Sequence, residues 1–288
     1  MSIDVSRTTA EIPATDGYAL AGTVYRSDAA SRRVVIISAA TAVPQRFYRH
    51  YAMALAKAGY VAVTYDYRGI GGSKPESLRG FDAAASDWGL LDMAGVIDWV
   101  KKELAAEQVY LVGHSIGGQV AGMLGNRELV DGMLTVSAQS GHWRLQRGEQ
   151  KWFAGFHVWV TLPLSAKLLG YMPWSWFSSA EDLPKGVALQ WSRWCRDRQY
   201  LLGDEALPLH RYDSFTAPVL AYSFSDDKWG TREAVDEMMS AYPRVERRHV
   251  DPAPYDLQSI GHFGYFRPGA ELLWAEGFEW LDSMSRVG

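Results

Sequence analysis

The stretch Gln108-Val109-Tyr110-Leu111-Val112-Gly113-His114-Ser115-Ile116-Gly117-Gly118 reads as a buried strand, a tight turn and the start of a helix. Its β-branched and apolar run suits a strand covered on both faces. The glycines two residues either side of Ser115 relieve crowding where a strand doubles back into a helix. Such a junction lifts the Ser115 hydroxyl above the carboxyl edge of a sheet, beside the free N–H groups of a helix N-terminus.

Outward from this junction, strand and helix alternate. Upstream lie a hairpin over residues 8–26 with an Asp16-Gly17 turn, the strand Arg33-Val34-Val35-Ile36-Ile37-Ser38 and a helix from about Phe47 to Ala58, closed by Gly59. The strand Tyr60 to Tyr65, the loop Asp66 to Ser73 and a helix from Ser86 to Leu104 follow. Downstream of Ser115, a helix to about Asn126 precedes the strand Gly132 to Ser137. This rhythm predicts a mostly parallel sheet with helices on both faces.

The rhythm stops near residue 140 and resumes at the strand Pro218 to Phe224, followed by a helix near Arg232–Tyr242, a strand Val245 to Val250 and a helix Gly269 to Met284. The interval holds Trp143, Trp152, Trp159, Trp174, Trp176, Trp191 and Trp194, seven of the chain's 12 tryptophans. The expected organisation is therefore a core of residues 1–139 and 211–288 and a mainly helical cap insertion of residues 140–210. The tryptophans are expected to form the core of the cap, each burying a large area, with some lining a pocket beneath it. Trp191 and Trp194, one helical turn apart, and Trp143 are the candidates for that lining.

Composition narrows the class. A chain of 288 residues with 48% hydrophobic residues buries a core without staples, and its single cysteine, Cys195, rules out an intrachain disulfide. A net charge of −4 gives no reason to expect nucleic acid as a partner. Neither a signal-peptide pattern at Met1–Arg7 nor an apolar run of the roughly 18–20 residues that span a bilayer is found. The expectation is a cytoplasmic protein with no stable membrane insertion, whose oligomeric state the sequence does not reveal.

A serine that attacks carbon needs an imidazole to take its proton and a carboxylate to orient that imidazole. Of seven histidines, His262 alone follows the last strand in a glycine-flanked loop, Ser259-Ile260-Gly261-His262-Phe263-Gly264. His249 lies within the strand itself, and His114, adjacent to Ser115 at a sharp turn, is expected to pack beneath the site. The carboxylate should follow the strand before last, where Asp226 and Asp227 compete. Two N–H donors must meet the developing oxyanion. Ile116, the residue after the serine, is one. Counting along Ala39-Ala40-Thr41-Ala42-Val43-Pro44-Gln45 puts the other at Thr41, with Ala40 second.

Residues 39–45, Asp66-Tyr67-Arg68-Gly69-Ile70-Gly71-Gly72-Ser73, Gly113 to Gly118, Asp226-Asp227 and Ile260 to Phe266 together resemble bacterial α/β-hydrolases of the lipase and serine-aminopeptidase-like branch. The resemblance covers the chain from about residue 34 onward. It implies the α/β-hydrolase fold, a Ser115–Asp227–His262 triad and no cofactor or metal. In relatives the acid's turn opens on a glycine, and Phe224 in that place points to Asp227. In such proteins the oxyanion loop often reads His-Gly-x-Gly, which is missing here. Asp66 and Arg68 read as scaffold, an ion pair with neighbours. The implied function is a serine hydrolase that cleaves a carboxylic ester of a small or medium apolar acyl group through an acyl-enzyme. Amidase or aminopeptidase action and acyl transfer are alternatives, as is a non-catalytic ligand-binding role. An aminopeptidase would hold its substrate's amine with cap acids such as Glu181, Asp182, Asp204 or Glu205.

Overall fold

The computed structural model describes residues 3–284; the ends of the expected core, residues 1–2 and 285–288, lie outside them. The chain forms β1 (Val5–Pro13), β2 (Ala19–Ser27), β3 (Arg33–Ser38), α1 (Arg49–Lys57), β4 (Val61–Tyr65), α2 (Ala94–Glu103), β5 (Gln108–His114), α3 (Ile116–Gln119) and β6 (Gly132–Val136). The interval that follows carries α4 (Gln150–Phe156), α5 (Leu162–Leu169), the two-residue strands β7 (Tyr171–Met172) and β8 (Leu183–Pro184), α6 (Lys185–Arg196) and α7 (His210–Asp213). It ends with β9 (Val219–Phe224), α8 (Arg232–Met239), β10 (Val245–Val250) and α9 (Glu271–Met284).

The β-branched runs make the centre of one eight-stranded sheet, in the order β1-β2-β4-β3-β5-β6-β9-β10. From β4 to β10 neighbouring strands run parallel, while the β1–β2 hairpin joins antiparallel to β4. Every residue of β4, β6 and β9 is buried, as a sheet covered on both faces requires. The edge strand β10 instead exposes Glu246 and Arg247, charges that discourage pairing with another chain. On one face Tyr51 of α1 packs edge-on against Trp274 of α9. On the other, the turn Trp88–Met93 that leads into α2 packs over residues 120–123 behind α3.

The helix after Ser115 is shorter than expected. α3 ends at Gln119 and a 3-10 turn, Val120–Met123, replaces its continuation to Asn126. The Tyr242 hydroxyl inserts into the ladder: the Gly122 N–H donates to it at 2.8 Å, and it donates to the Gly118 carbonyl at 2.8 Å. A side chain seated between residues i and i+4 ends the α-helical register there.

Candidate active site

The turn around Ser115 is built by close approach. A Cβ on Gly113 would meet Gly118, and one on Gly117 would meet the Ser38 carbonyl, so both positions require glycine. Ser115 itself holds φ 51° and ψ −117°, a conformation that costs a non-glycine residue about 1–3 kcal/mol. The Ser115 N–H donates to the Val136 carbonyl at 2.9 Å and its carbonyl accepts from the Gly118 N–H at 3.0 Å, so the strain is held by backbone on both sides. The side chain is almost fully buried and borders a cavity lined in part by residues 141–200.

His262 and Asp227, far apart in sequence, meet at 2.8 Å between Nδ1 and Oδ2. The other calls on the Asp227 carboxylate are also met: the Ser137 hydroxyl donates to Oδ2 at 2.8 Å, and the N–H groups of Trp229 and Gly230 donate to Oδ1 at 2.8 and 2.9 Å. Burial alone would raise the carboxyl's pKa. The His262 imidazole, the Gly230 amide and the Ser137 hydroxyl overcome it and hold the group well below the usual carboxylate range. Because the carboxylate can only accept, His262 carries its proton on Nδ1 and leaves Nε2 as the basic nitrogen. Asp226 does other work. Its oxygens accept from the N–H groups of Ile260 at 2.8 Å and Gly261 at 2.9 Å, which clamps the loop that carries His262. His249 lies on exposed β10, its Nδ1 3.0 Å from the Ser223 hydroxyl.

His114 packs beneath the site, wholly buried. Its Nε2 lies 2.8 Å from the His262 carbonyl, and its Nδ1 2.8 Å from the Tyr48 hydroxyl. The carbonyl can only accept, so Nε2 carries the proton and Tyr48 donates to Nδ1. Tyr48 in turn accepts from the Ala40 N–H at 2.9 Å. One chain of hydrogen bonds thus joins the loop after β3 to the backbone of His262. It also removes Ala40 as an oxyanion donor, since that N–H is engaged. The N–H groups of Thr41 and Ile116 have no hydrogen-bond partner among the described residues. Sequence reading gave Tyr48 and Ser137 no role; both are hydroxyls near a strand end or turn, a signal too common to single them out.

The loop that bears Thr41 is braced from two sides. Asp66 accepts from the Gln45 N–H at 2.7 Å and its Nε2 at 3.0 Å, and the Glu181 N–H donates to the Ala42 carbonyl at 2.9 Å. Asp66 therefore binds amides and not Arg68, as an ion-pair reading would have it. Arg68 pairs with Asp92 at 2.7 Å and grips Asp16 with both terminal nitrogens at 2.8 and 2.9 Å.

The cavity is narrow. Only about 50 Å³ of it is open to the centre of a water molecule. Its apolar wall includes Val158, Leu162, Trp174, Trp191 and Cys195, and its polar wall Gln119, Gln139, Gln146, His157 and Tyr200. Gln139 Oε1 and Gln146 Oε1 have no hydrogen-bond partner among the described residues. Of the three candidate tryptophans, Trp191 borders the cavity, with its Nε1–H on the Tyr200 hydroxyl at 3.1 Å. Trp194 is buried away from it, donating to Asp204 at 2.7 Å, and Trp143 packs on Gly155 and Trp152. None of Glu181, Asp182, Asp204 and Glu205 lines the cavity. Cys195 is buried in its wall, and burial pushes its thiol pKa far up.

Residues 33–173 match the family model described as the alpha/beta hydrolase fold. No curated protein matches the chain significantly. Among solved structures, a putative non-heme bromoperoxidase, BpoC, from Mycobacterium tuberculosis is 20% identical, with 99% of this chain and 97% of that one covered and a TM-score of 0.60. The Pyrococcus furiosus esterase Pf2001 is 18% identical over 96% of this chain and 90% of that one, TM-score 0.60. Est1E from Butyrivibrio proteoclasticus, solved with ferulic acid bound, is 17% identical over 96% and 100%, TM-score 0.64. By its sheet order, its match to the family model and these neighbours, the chain has the α/β-hydrolase fold.

Proposed function

We propose that the chain is a serine hydrolase that cleaves a carboxylic ester of a small or medium, largely apolar acyl group. The observation that carries this reading is the Asp227–His262 pair, 2.8 Å apart with the carboxylate fully hydrogen-bonded, at the edge of the sheet where Ser115 sits strained. His262 Nε2 takes the Ser115 proton as Oγ attacks the ester carbonyl. The N–H groups of Ile116 and Thr41 receive the oxyanion, each worth about 2.7–4 kcal/mol of transition-state stabilisation. The proton passes to the leaving alcohol, and water, activated by the same imidazole, releases the acid from the acyl-enzyme.

A fluorophosphonate probe is expected to label the wild type and not Ser115→Ala. A folded wild type that stays unlabelled would overturn the reading. Among p-nitrophenyl esters, the narrow cavity favours short acyl chains, with kcat/KM highest between acetate and butyrate and lower for octanoate. The unpartnered Gln139 and Gln146 oxygens suit an acyl group that carries a hydrogen-bond donor, and a hydroxyacyl ester is expected to exceed its unsubstituted counterpart.

A further inference from the structure

Three of the cap's tryptophans neither build its core nor line the cavity: Trp152, Trp159 and Trp176 stand in solvent. The first two belong to one helical rod, α4 and α5 joined by the wide turn His157–Thr161. Its inner face, Ala154, Val158, Leu162 and Ala166, is buried. Its outer face carries Trp152, Phe156, Trp159, Val160, Leu164 and Leu168, from 40% exposed at Val160 to 73% at Leu168. A surface helix normally turns polar residues outward, and this one is apolar on both faces.

Charge accompanies the apolar face. Between Gln150 and Ala180 there is no Asp or Glu, while Lys151 and Lys167 stand near the two ends of the rod, in a chain of net charge −4. Lys151 lies over the Trp152 ring at 5.3 Å, and Arg196 lies over Trp159 at 4.9 Å. Tryptophans capped by cations, beside Phe and Leu, match the layer where lipid headgroups meet acyl chains. A second copy of the same face would bring like charges together, with no carboxylate on the rod itself and only Glu149 at its start. An anionic lipid surface supplies the missing counter-charge.

We propose that the outer face of this cap helix docks on an anionic lipid surface, lying in its plane. No helix among the described residues is long and apolar enough to cross a membrane. The proposal does not rest on the hydrolase reading, and Ser115→Ala is expected to bind lipid as the wild type does.

Flotation of the full chain with phosphatidylcholine vesicles, with and without phosphatidylglycerol, tests it. The expected result is co-flotation with the phosphatidylglycerol vesicles, weakened by salt and accompanied by a blue shift of tryptophan emission. Phe156→Ser with Leu164→Ser is expected to lower binding at least tenfold. Lys151→Glu with Lys167→Glu, which leaves the apolar face intact, should abolish the preference for the anionic lipid. A folded chain that floats with neither vesicle would overturn the proposal. So would a dimer in sedimentation that Phe156→Ser dissociates, since the face would then belong to a second copy.

Discussion

His114 precedes Ser115, yet both its nitrogens are engaged elsewhere, with Tyr48 and with the His262 carbonyl. Burial, helped by the nearby His262, lowers its pKa to about 3, so the imidazole stays neutral in the fold. Unfolded histidine titrates near 6.5. Between about pH 6.5 and 3 the unfolded chain therefore binds the extra proton, and stability falls as pH falls through that window. The full effect is at most roughly 4–5 kcal/mol, and the part between pH 7 and 5 about 2 kcal/mol. Asp227 acts in the same direction but lower, because its depressed pKa gives stability present above about pH 4 and lost beneath it. Urea midpoints from pH 7 to 5, compared between wild type and His114→Gln, separate the share of His114 from those of His157 and Asp92, which titrate in the same window. His114→Gln is expected to be less stable at pH 7 and to show the shallower pH dependence. Equal slopes in the two proteins would remove His114 from the account.

At the scale of elements, the carboxylate of Asp226 fastens the turn after β9 to the loop after β10. Hydrogen bonds to a charged group are worth about 1.5–3 kcal/mol each, and a misplacement of about 1 Å in a reacting group lowers rates about 10²-fold. Asp226→Ala is therefore expected to lower kcat on a short p-nitrophenyl ester by roughly 10–100-fold with KM little changed. Asp227→Ala, which strips His262 of its orienting partner, should cost about 10⁴-fold. The opposite ranking would exchange their roles. The adjacent aspartates look alike in sequence because only their partners in the loop after β10 tell them apart, and those partners lie 34–35 residues away. Elements legible in the sequence are those set by local pattern: the β-branched strands, the Asp16-Gly17 hairpin and the turn around Ser115. The end of α3 was not, since the hydroxyl that ends it belongs to Tyr242, beyond α8. Nor was the wide turn His157–Thr161. A repeat of four residues drifts by roughly 40° at each step of an α-helix, and the wide turn takes up that drift along the inner face Ala154, Val158, Leu162 and Ala166.

At the scale of the whole molecule, the question is whether residues 140–210, the expected cap, are a separate unit or part of one fold. Val158, Leu162, Met172, Leu183, Trp194 and Leu201 belong to the same buried cluster as the strands of the central sheet. Polar ties cross the boundary as well. The Tyr200 hydroxyl donates to Gln119 Oε1 at 2.9 Å and accepts from Trp191, and Gln190 binds Ser86 through its backbone N–H at 2.9 Å and its hydroxyl at 3.2 Å. A cap fastened this way should unfold with the core. Seven of the 12 tryptophans lie between residues 143 and 194, so fluorescence follows mainly the cap, whereas far-UV circular dichroism follows the whole chain. The two probes are expected to give one urea midpoint, as a cooperative transition requires. Tyr200→Phe leaves the Trp191 N–H and Gln119 Oε1 unpaired near the cavity, at a cost of about 1–3 kcal/mol for each buried group. In a single cooperative unit that loss lowers both midpoints together. A fluorescence transition that moves ahead of the dichroism would show instead that the cap opens by itself, and that Tyr200 is the latch that holds it down.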